Sequence, residues 1–235
     1  MATSSEAELI RQLKRARALH EERAASPELA AALDRLALWQ SRRLNATYAD
    51  FARVPRYARA IEFFQTDLYG PGDFSRRDAD LARVVPLMVR ILPEGVIATI
   101  SDAMELSALS RELDRALLEK LPMPAPLSVT TYCAAYRALV NRGARERQIA
   151  LIVAVGRALD RYVGKTLTRS ALAAMRQPAR AAGLSALQGF LERGFAAFRH
   201  MAGADEFLAT VETRETALMN AIFDGDRAPF SEPDV

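Results

Sequence analysis

The stretch ARERQIALIVAVGRALDRYV, residues 144–163, decides the fold class of this chain of 235 residues. Its middle, IALIVAVG (149–156), would be apolar on nearly every side of a helix, which is typical of a helix at the centre of a protein. It is much shorter than the roughly 20 apolar residues that cross a bilayer. The sequence therefore predicts a central, buried helix over 144–163.

The segments on either side of this helix also carry helical patterns. Apolar residues recur at helical spacing, and Ser26-Pro27 and Ser128 are typical helix starts. The sustained polar–apolar alternation that marks strands is missing. The sequence thus predicts an all-α bundle of about eight to ten helices.

The domain boundaries follow from the prolines and glycines. One helical domain is expected over 1–225, followed by a flexible tail over 226–235, and the Pro-rich PMPAP (122–126) is a candidate internal boundary. Pro86 should kink or break the helix that contains it. The expected second helix extends over 27–53, and a short irregular piece is expected over 168–178.

Composition favours a soluble cytoplasmic protein. Hydrophobic residues make up 50% of the chain, and the mean hydropathy is −0.04. The single cysteine, Cys133, excludes an internal disulfide and fits a reducing compartment. The N-terminus becomes charged where a signal peptide would become apolar, so no secretion signal and no membrane segment are expected.

The charge pattern argues against nucleic-acid binding. The net charge is +3, but the 32 basic residues are interleaved with 29 acidic ones and form no contiguous patch in the sequence. A regulator that binds nucleic acid would need the arginines gathered on one face of the fold.

The stretch FFQTDLYGPGDFSRRDAD (63–80) is unusually rich in aspartate between two hydrophobic segments. Most of it is explained by a helix that ends and another that begins. Gly70 suits the end of the first helix, Ser75 and Asp78 form the pattern of a capping box, and Asp73 can close the loop.

Asp67 is not explained in this way, because a carboxylate in the last turn of a helix opposes the helix dipole. A clamp between Asp67 and Arg76 or Arg77 across the turn is the structural interpretation. The functional alternative is a ligand or metal site that uses Asp67, Tyr69, Asp73 and Asp78.

The pattern FFxxDLYGxxDFxxRDxDxxR over 63–83 resembles that of a group of uncharacterised helical bacterial proteins. ARERQIALIVAVGRALDR (144–161) and GADEFLATVETRE (203–215) are similar to the same group, so the resemblance covers about 57–223. It implies an all-helical fold. It implies no activity and supplies no catalytic residues.

Two further sets of charged residues are candidates for a site. Arg83 and Arg90 would lie near Asp102 and Glu105 if their helices are antiparallel neighbours, which predicts an ion-pair ladder. The alternative is that one of these carboxylates stays unpaired beside a cleft and acts as a general base. Separately, Glu215 falls on the apolar seam of the last helix and is predicted to be a buried acid paired with an arginine, for example Arg199.

Several residues predict a pocket. Gly156, Gly189 and Gly194 lie inside predicted helices, which indicates either close helix packing or a flat apolar ligand. Tyr132 and Tyr136 lie one turn apart and are candidates to line the same cavity, although core packing is the commoner role for such residues.

Metal and thiol chemistry have little support. The only histidines are His20 and His200, and neither follows a glutamate by three positions, so the Glu-x-x-His pattern of di-metal bundles is missing. Cys133 lies within a predicted helix and is expected to be buried and unreactive. No cofactor is therefore expected.

The leading hypothesis is a protein that binds a partner protein or a small apolar or acidic ligand and has no chemistry of its own. The first alternative is an enzyme with acid–base carboxylates in a cleft around 67–80, and the second is the arginine-based nucleic-acid regulator. Apolar helix faces are compatible with a homodimer. The candidate site residues are Asp67, Tyr69, Asp73, Arg77, Asp78, Arg83, Glu105 and Glu215.

Overall fold

The structure is a computed structural model that describes residues 4–68, 80, 84, 94–122 and 126–233. All regular structure in these ranges is helical, which confirms the predicted all-α fold. The eleven α-helices within them are α1 Ser4–Ala25, α2 Pro27–Thr47, α3 Ala49–Ala52, α4 Pro55–Phe63, α5 Glu94–Lys120, α6 Val129–Ala138, α7 Arg142–Val163, α8 Thr166–Ala174, α9 Arg176–Ala181, α10 Ser185–Met201 and α11 Asp205–Phe223. A π-helical turn, Phe64–Leu68, continues α4.

The helix starts follow the predicted caps. The Ser26 hydroxyl accepts a hydrogen bond from the Leu29 backbone N–H at 3.2 Å, and Pro27 occupies the first position of α2. Ser128 and Thr131 form a capping box at the start of α6. These side chains satisfy backbone donors that have no partner within the helix.

Helix α7 is the central element, as predicted. It packs against α5, α8, α10 and α11, and the side chains of Ile149, Leu151 and Val153 are buried. At Gly156 an added Cβ would lie 2.5 Å from Leu208 Cδ2 of α11. Close approach of two helices is therefore what requires this glycine.

Two segments differ from the prediction. The expected irregular piece at 168–178 is wrong, since α8 and α9 cover most of it. Pro178 lies in the first turn of α9, where the N–H that proline lacks would have no helical partner. The expected second helix stops at Thr47, because the backbone of Tyr48 (φ −114°, ψ 19°) leaves the α-helical region before α3 begins.

Other predictions fall largely outside the described residues. The helix with the expected kink at Pro86 is described only at Asp80 and Val84, both of which are helical.

The described part of the tail contacts the bundle. The Phe230 ring centroid lies 6.0 Å from that of Trp39, and Glu232 accepts a hydrogen bond from the Val129 backbone N–H at 2.8 Å. Among the helices seen, none has both the length and the apolar content that a membrane crossing requires.

Candidate functional site

A cavity of about 490 Å³ lies between the helices of the bundle. Members of the two largest core clusters line it, one around Tyr132 and Met219 and the other around Phe198 and Phe207. Most of its wall is therefore apolar or aromatic. Helices α4 and α10 with the π-helical turn contribute the phenylalanines Phe63, Phe64, Phe190, Phe195 and Phe198.

Small residues on the facing helices leave this space open. Ala37 of α2, Ala103 and Ser107 of α5, and Gly194 of α10 line the cavity. An added Cβ at Gly194 would lie 2.9 Å from Phe63 Cζ, so this glycine, like Gly156, makes room for a neighbouring side chain. Close packing, the first of the two interpretations of these glycines, is what the structure shows.

A buried ion pair forms one polar part of the wall. Arg43 Nη1 of α2 donates to both carboxylate oxygens of Glu215 on α11, at 2.8 and 2.9 Å, and the Tyr48 hydroxyl donates to Glu215 Oε1 at 3.0 Å. The two charged side chains are only 11% and 15% exposed. Glu215 is thus a largely buried acid paired with an arginine, as predicted, but the arginine is Arg43 and not Arg199.

The ion pair and its burial change the pKa values of Arg43 and of the neighbouring Tyr48. Burial is the largest single influence and would lower the pKa of Arg43, but the charge and hydrogen bonds of Glu215, together with Tyr132 and Tyr48, outweigh it and the net shift is upward. Burial, together with the negative charge of Glu215, raises the pKa of the Tyr48 phenol. Arg43 therefore stays charged and the Tyr48 phenol stays neutral near neutral pH.

Asp114 of α5 is a second polar group in the wall. Its Oδ1 accepts a hydrogen bond from Gln40 Nε2 at 2.9 Å, and burial raises its pKa although that hydrogen bond acts in the opposite direction. It is in no ion pair with a residue of the described ranges. Among the carboxyl groups that line the cavity, Asp114 is the one whose pKa is raised, so it is the best candidate to take up a proton.

Arg145, in the second turn of α7, is a third polar group. Its side chain lines the cavity, and the residue is 7% exposed. Nη1 donates to Gln148 Oε1 at 3.0 Å, Gln148 in turn donates to Ser110 at 2.8 Å, and the guanidinium carbon lies 4.5 Å from the ring centroid of Tyr136. Nη2 has no hydrogen-bond partner among the residues that the structure describes.

Asp67 lies away from this cavity in a structural contact. It sits in the π-helical turn, 8% exposed, and Arg193 Nε of α10 donates to its Oδ1 at 3.0 Å. The predicted partners Arg76 and Arg77 lie outside the described residues. Within the described residues, Arg193 of α10 is therefore the arginine that binds Asp67.

Glu105 also has an arginine partner. Arg147 of α7 donates to both of its carboxylate oxygens, at 2.8 and 2.6 Å. The arginines expected to face it, Arg83 and Arg90, are outside the described residues. The remaining candidates outside those ranges are Tyr69, Asp73, Arg77 and Asp78. Of the described candidates, the structure places Glu215 in the cavity wall, and Asp67 and Glu105 elsewhere.

Sequence reasoning missed Arg43, Asp114 and Arg145. A signal for Asp114 was present, because Ser107, Ser110 and Asp114 follow one another at spacings of three and four and so share one face of α5. Arg145 carried no such signal, since a single arginine near a helix start is common. Tyr132 and Tyr136, which sequence offers as cavity-lining residues or as core residues, are both part of a core cluster and also border this cavity.

The cysteine and His200 lie in surroundings that explain them as structural residues. Cys133 is buried, as predicted, and burial raises its pKa to about 11, so it is a neutral thiol at neutral pH. His200 Nε2 lies 3.0 Å from the Pro55 carbonyl oxygen. Within the described ranges, no three side chains of metal-binding type come together.

Asp114→Asn should make the protein more stable at pH 7. Because the pKa of Asp114 is raised in the folded state, the folded protein binds this proton more tightly than the unfolded chain. Stability is therefore lost as the pH rises above the unfolded value. Asparagine keeps the oxygen that Gln40 contacts, so its advantage should shrink as the pH falls toward the unfolded pKa of about 4 and should approach zero only below it.

Urea denaturation between pH 4 and pH 8 measures this effect, with Glu212→Gln on the exposed face of α11 as the matched control. An Asp114→Asn variant that is less stable at pH 7, or an advantage that does not change with pH, would contradict the argument.

The fold and site together define a class, an all-α protein with an apolar cavity and buried charged groups in its wall. Residues 19–229 match the family described as "Domain of unknown function (DUF8198)". The chain belongs to this family, which confirms the resemblance to an uncharacterised family and extends it toward the N-terminus across α2. No curated protein and no solved structure shows a significant match to the chain.

Proposed function

We propose that this protein binds a small, mostly apolar molecule in the cavity and has no chemistry of its own. The observation that carries the proposal is the cavity itself, with a mostly apolar wall and a limited set of polar and charged groups that include Arg145 and Asp114. Its volume of about 490 Å³ falls in the range of roughly 300–1,000 Å³ that holds small-molecule ligands.

The energetic cost of the cavity supports an occupant. Empty apolar space inside a protein lowers its stability in proportion to the volume, so an occupant that fills the apolar part of this cavity would be stabilising. Water is a poor occupant along the phenylalanine wall, because it finds few hydrogen-bond partners there.

The described surface favours a small ligand over a partner protein. The exposed large apolar side chains in these ranges are few and come from separate segments of the chain, whereas protein interfaces are marked by broad apolar patches. They are Ile10, Leu38, Val54, Val140 and Met175.

Ala37→Leu should weaken binding of an apolar ligand at least tenfold. The larger side chain would enter the cavity from α2 and remove volume that the ligand needs. Fluorescence titration with Nile red, a neutral apolar dye, measures the affinity.

Ala31→Leu is the matched control, because the same change falls on the exposed face of the same helix. Its affinity for Nile red should equal that of the wild type. Unchanged binding by a folded Ala37→Leu variant, or no binding by the wild type, would argue against the cavity as the site.

A second candidate function follows from Asp114. The enzyme hypothesis placed its carboxylates around 67–80, and of the described residues Asp114 now fits the acid–base role better than Asp67, which Arg193 clamps. A cavity ligand that is recovered chemically unchanged after incubation supports the binding function. A conversion that is lost in Asp114→Asn would support the enzyme instead.

A further inference from the structure

We infer that the ligand is an elongated apolar molecule with a carboxylate head group, and that Arg145 binds this head group. The inference rests on the proposed function, since it assigns the chemical class of the molecule in the cavity.

The first argument is the incomplete pairing of Arg145. It is 7% exposed, its Nη2 has no hydrogen-bond partner in the described ranges, and its Nη1 partner is the neutral amide of Gln148. A buried guanidinium without a carboxylate is unfavourable, because desolvation is then not offset by an opposite charge. An anionic ligand would supply that charge.

Arg43 provides the internal comparison. It lines the same cavity, but Glu215 accepts two hydrogen bonds from it at 2.8 and 2.9 Å. Its charge is therefore compensated within the protein. Arg43 Nε also has no hydrogen-bond partner in the described ranges, so the two arginines differ in their carboxylate: Arg43 is paired with Glu215, and Arg145 forms no ion pair with a described residue.

The net charge of the wall points the same way. Three arginine–carboxylate pairs in the wall cancel: Arg43 with Glu215, Arg23 with Asp34, and Arg115 with Glu22. The other charged residues of the lining are Arg111, Arg145 and Asp114, so the wall is positive overall. Ionised Asp114 would leave one positive charge and neutral Asp114 would leave two. Burial raises the pKa of Asp114, although the hydrogen bond from Gln40 and the charge of Arg145 act in the opposite direction. The positive end of the α7 dipole adds to the attraction for an anion near Arg145.

The position of Arg145 is held in advance of binding. The Tyr136 ring lies against the guanidinium at 4.5 Å, and Gln148, itself bonded to Ser110, holds Nη1. A side chain fixed in this way loses little conformational entropy when it binds an anion.

The shape of the wall indicates an elongated tail. From Arg145 to Leu159, the cavity-lining residues of α7 recur at helical spacing along one face. These fourteen helical steps span about 20 Å along the helix axis at 1.5 Å per residue. Phe195 and Phe198 of α10 line the same cavity, so the tail would lie along apolar and aromatic side chains.

The test compares decanoate with 1-decanol, two ligands with the same chain length and different head groups, by displacement of Nile red. Wild-type protein should bind decanoate at least tenfold more tightly than decanol. Arg145→Gln should remove this preference while the affinity for decanol stays within about twofold, because the apolar wall is unchanged.

Arg147→Gln is the matched control. Arg147 lies two residues further along α7, is half exposed and is paired with Glu105, and it is not among the described residues that line the cavity. The preference for decanoate should be unchanged in this variant. Arg145→Lys, which retains the charge but not the fork of N–H groups, should show a reduced preference and serves as a second variant if Arg145→Gln does not fold.

The outcomes separate the two proposals. If the wild type binds neither compound and no Nile red, the proposed function fails and the inference fails with it. If decanol binds as tightly as decanoate, or the preference survives in both Arg145 variants, the inference is overturned and the cavity remains a site for neutral ligands.

Discussion

Glu215→Ala should destabilise the protein by about 3–5 kcal/mol, which is the typical cost of removing one member of a buried ion pair. The change would leave the Arg43 guanidinium largely buried without its carboxylate and would remove the acceptor of the Tyr48 hydroxyl. Urea denaturation at pH 7 measures the difference in the free energy of unfolding.

Two further variants show whether the loss of stability comes from the buried charge. Glu212→Ala on the same helix removes an exposed acid that lies 3.8 Å from Arg157, and it should cost no more than about 1 kcal/mol. The double variant Arg43→Met/Glu215→Leu replaces both charges by apolar side chains and should recover most of the lost stability. A Glu215→Ala variant as stable as Glu212→Ala would show that the pair is not desolvated as described.

Leu208→Ala should cost about 2–5 kcal/mol, because Leu208 is 1% exposed and its removal leaves a cavity between α7 and α11. Its side chain packs directly onto the backbone of Gly156. Thermal and urea unfolding of the single variant test the size of the effect.

The sign of Gly156→Ala should depend on Leu208. In the wild type the added methyl group would meet Leu208 Cδ2 at 2.5 Å, so the variant should be destabilised although alanine favours helices over glycine by about 1 kcal/mol. In the Leu208→Ala background the space is free, and the same change should be stabilising. Gly164→Ala is the control, because nothing lies within 4 Å of an added Cβ there. Gly156→Ala effects of equal size in both backgrounds would disprove the contact.

The parts of the fold that sequence predicts are those determined by neighbours along the chain. The central helix is predictable because eight consecutive positions are nearly all apolar, and the caps at Ser26 and Ser128 are predictable because a cap acts within three residues. Glu215 is predictable as a buried acid because it lies on an apolar seam. These features require no knowledge of the tertiary fold.

The partners of the charged residues are not predictable in this way. Asp67 was expected to bind an arginine from the adjacent loop, but its described partner, Arg193, is 126 residues away. Arg43 and Glu215 are 172 residues apart. Arginine is abundant throughout the chain, so composition offers many partners for each acid, and only helix packing selects one.

The separation of Arg43 from Glu215 also has a consequence for protein synthesis. At roughly 5–20 residues per second, the 172 residues between them take on the order of ten to thirty seconds to translate. During that interval Arg43 is on the nascent chain without the carboxylate that compensates its charge. The ion pair cannot form until α11 has emerged, and faster translation shortens that interval.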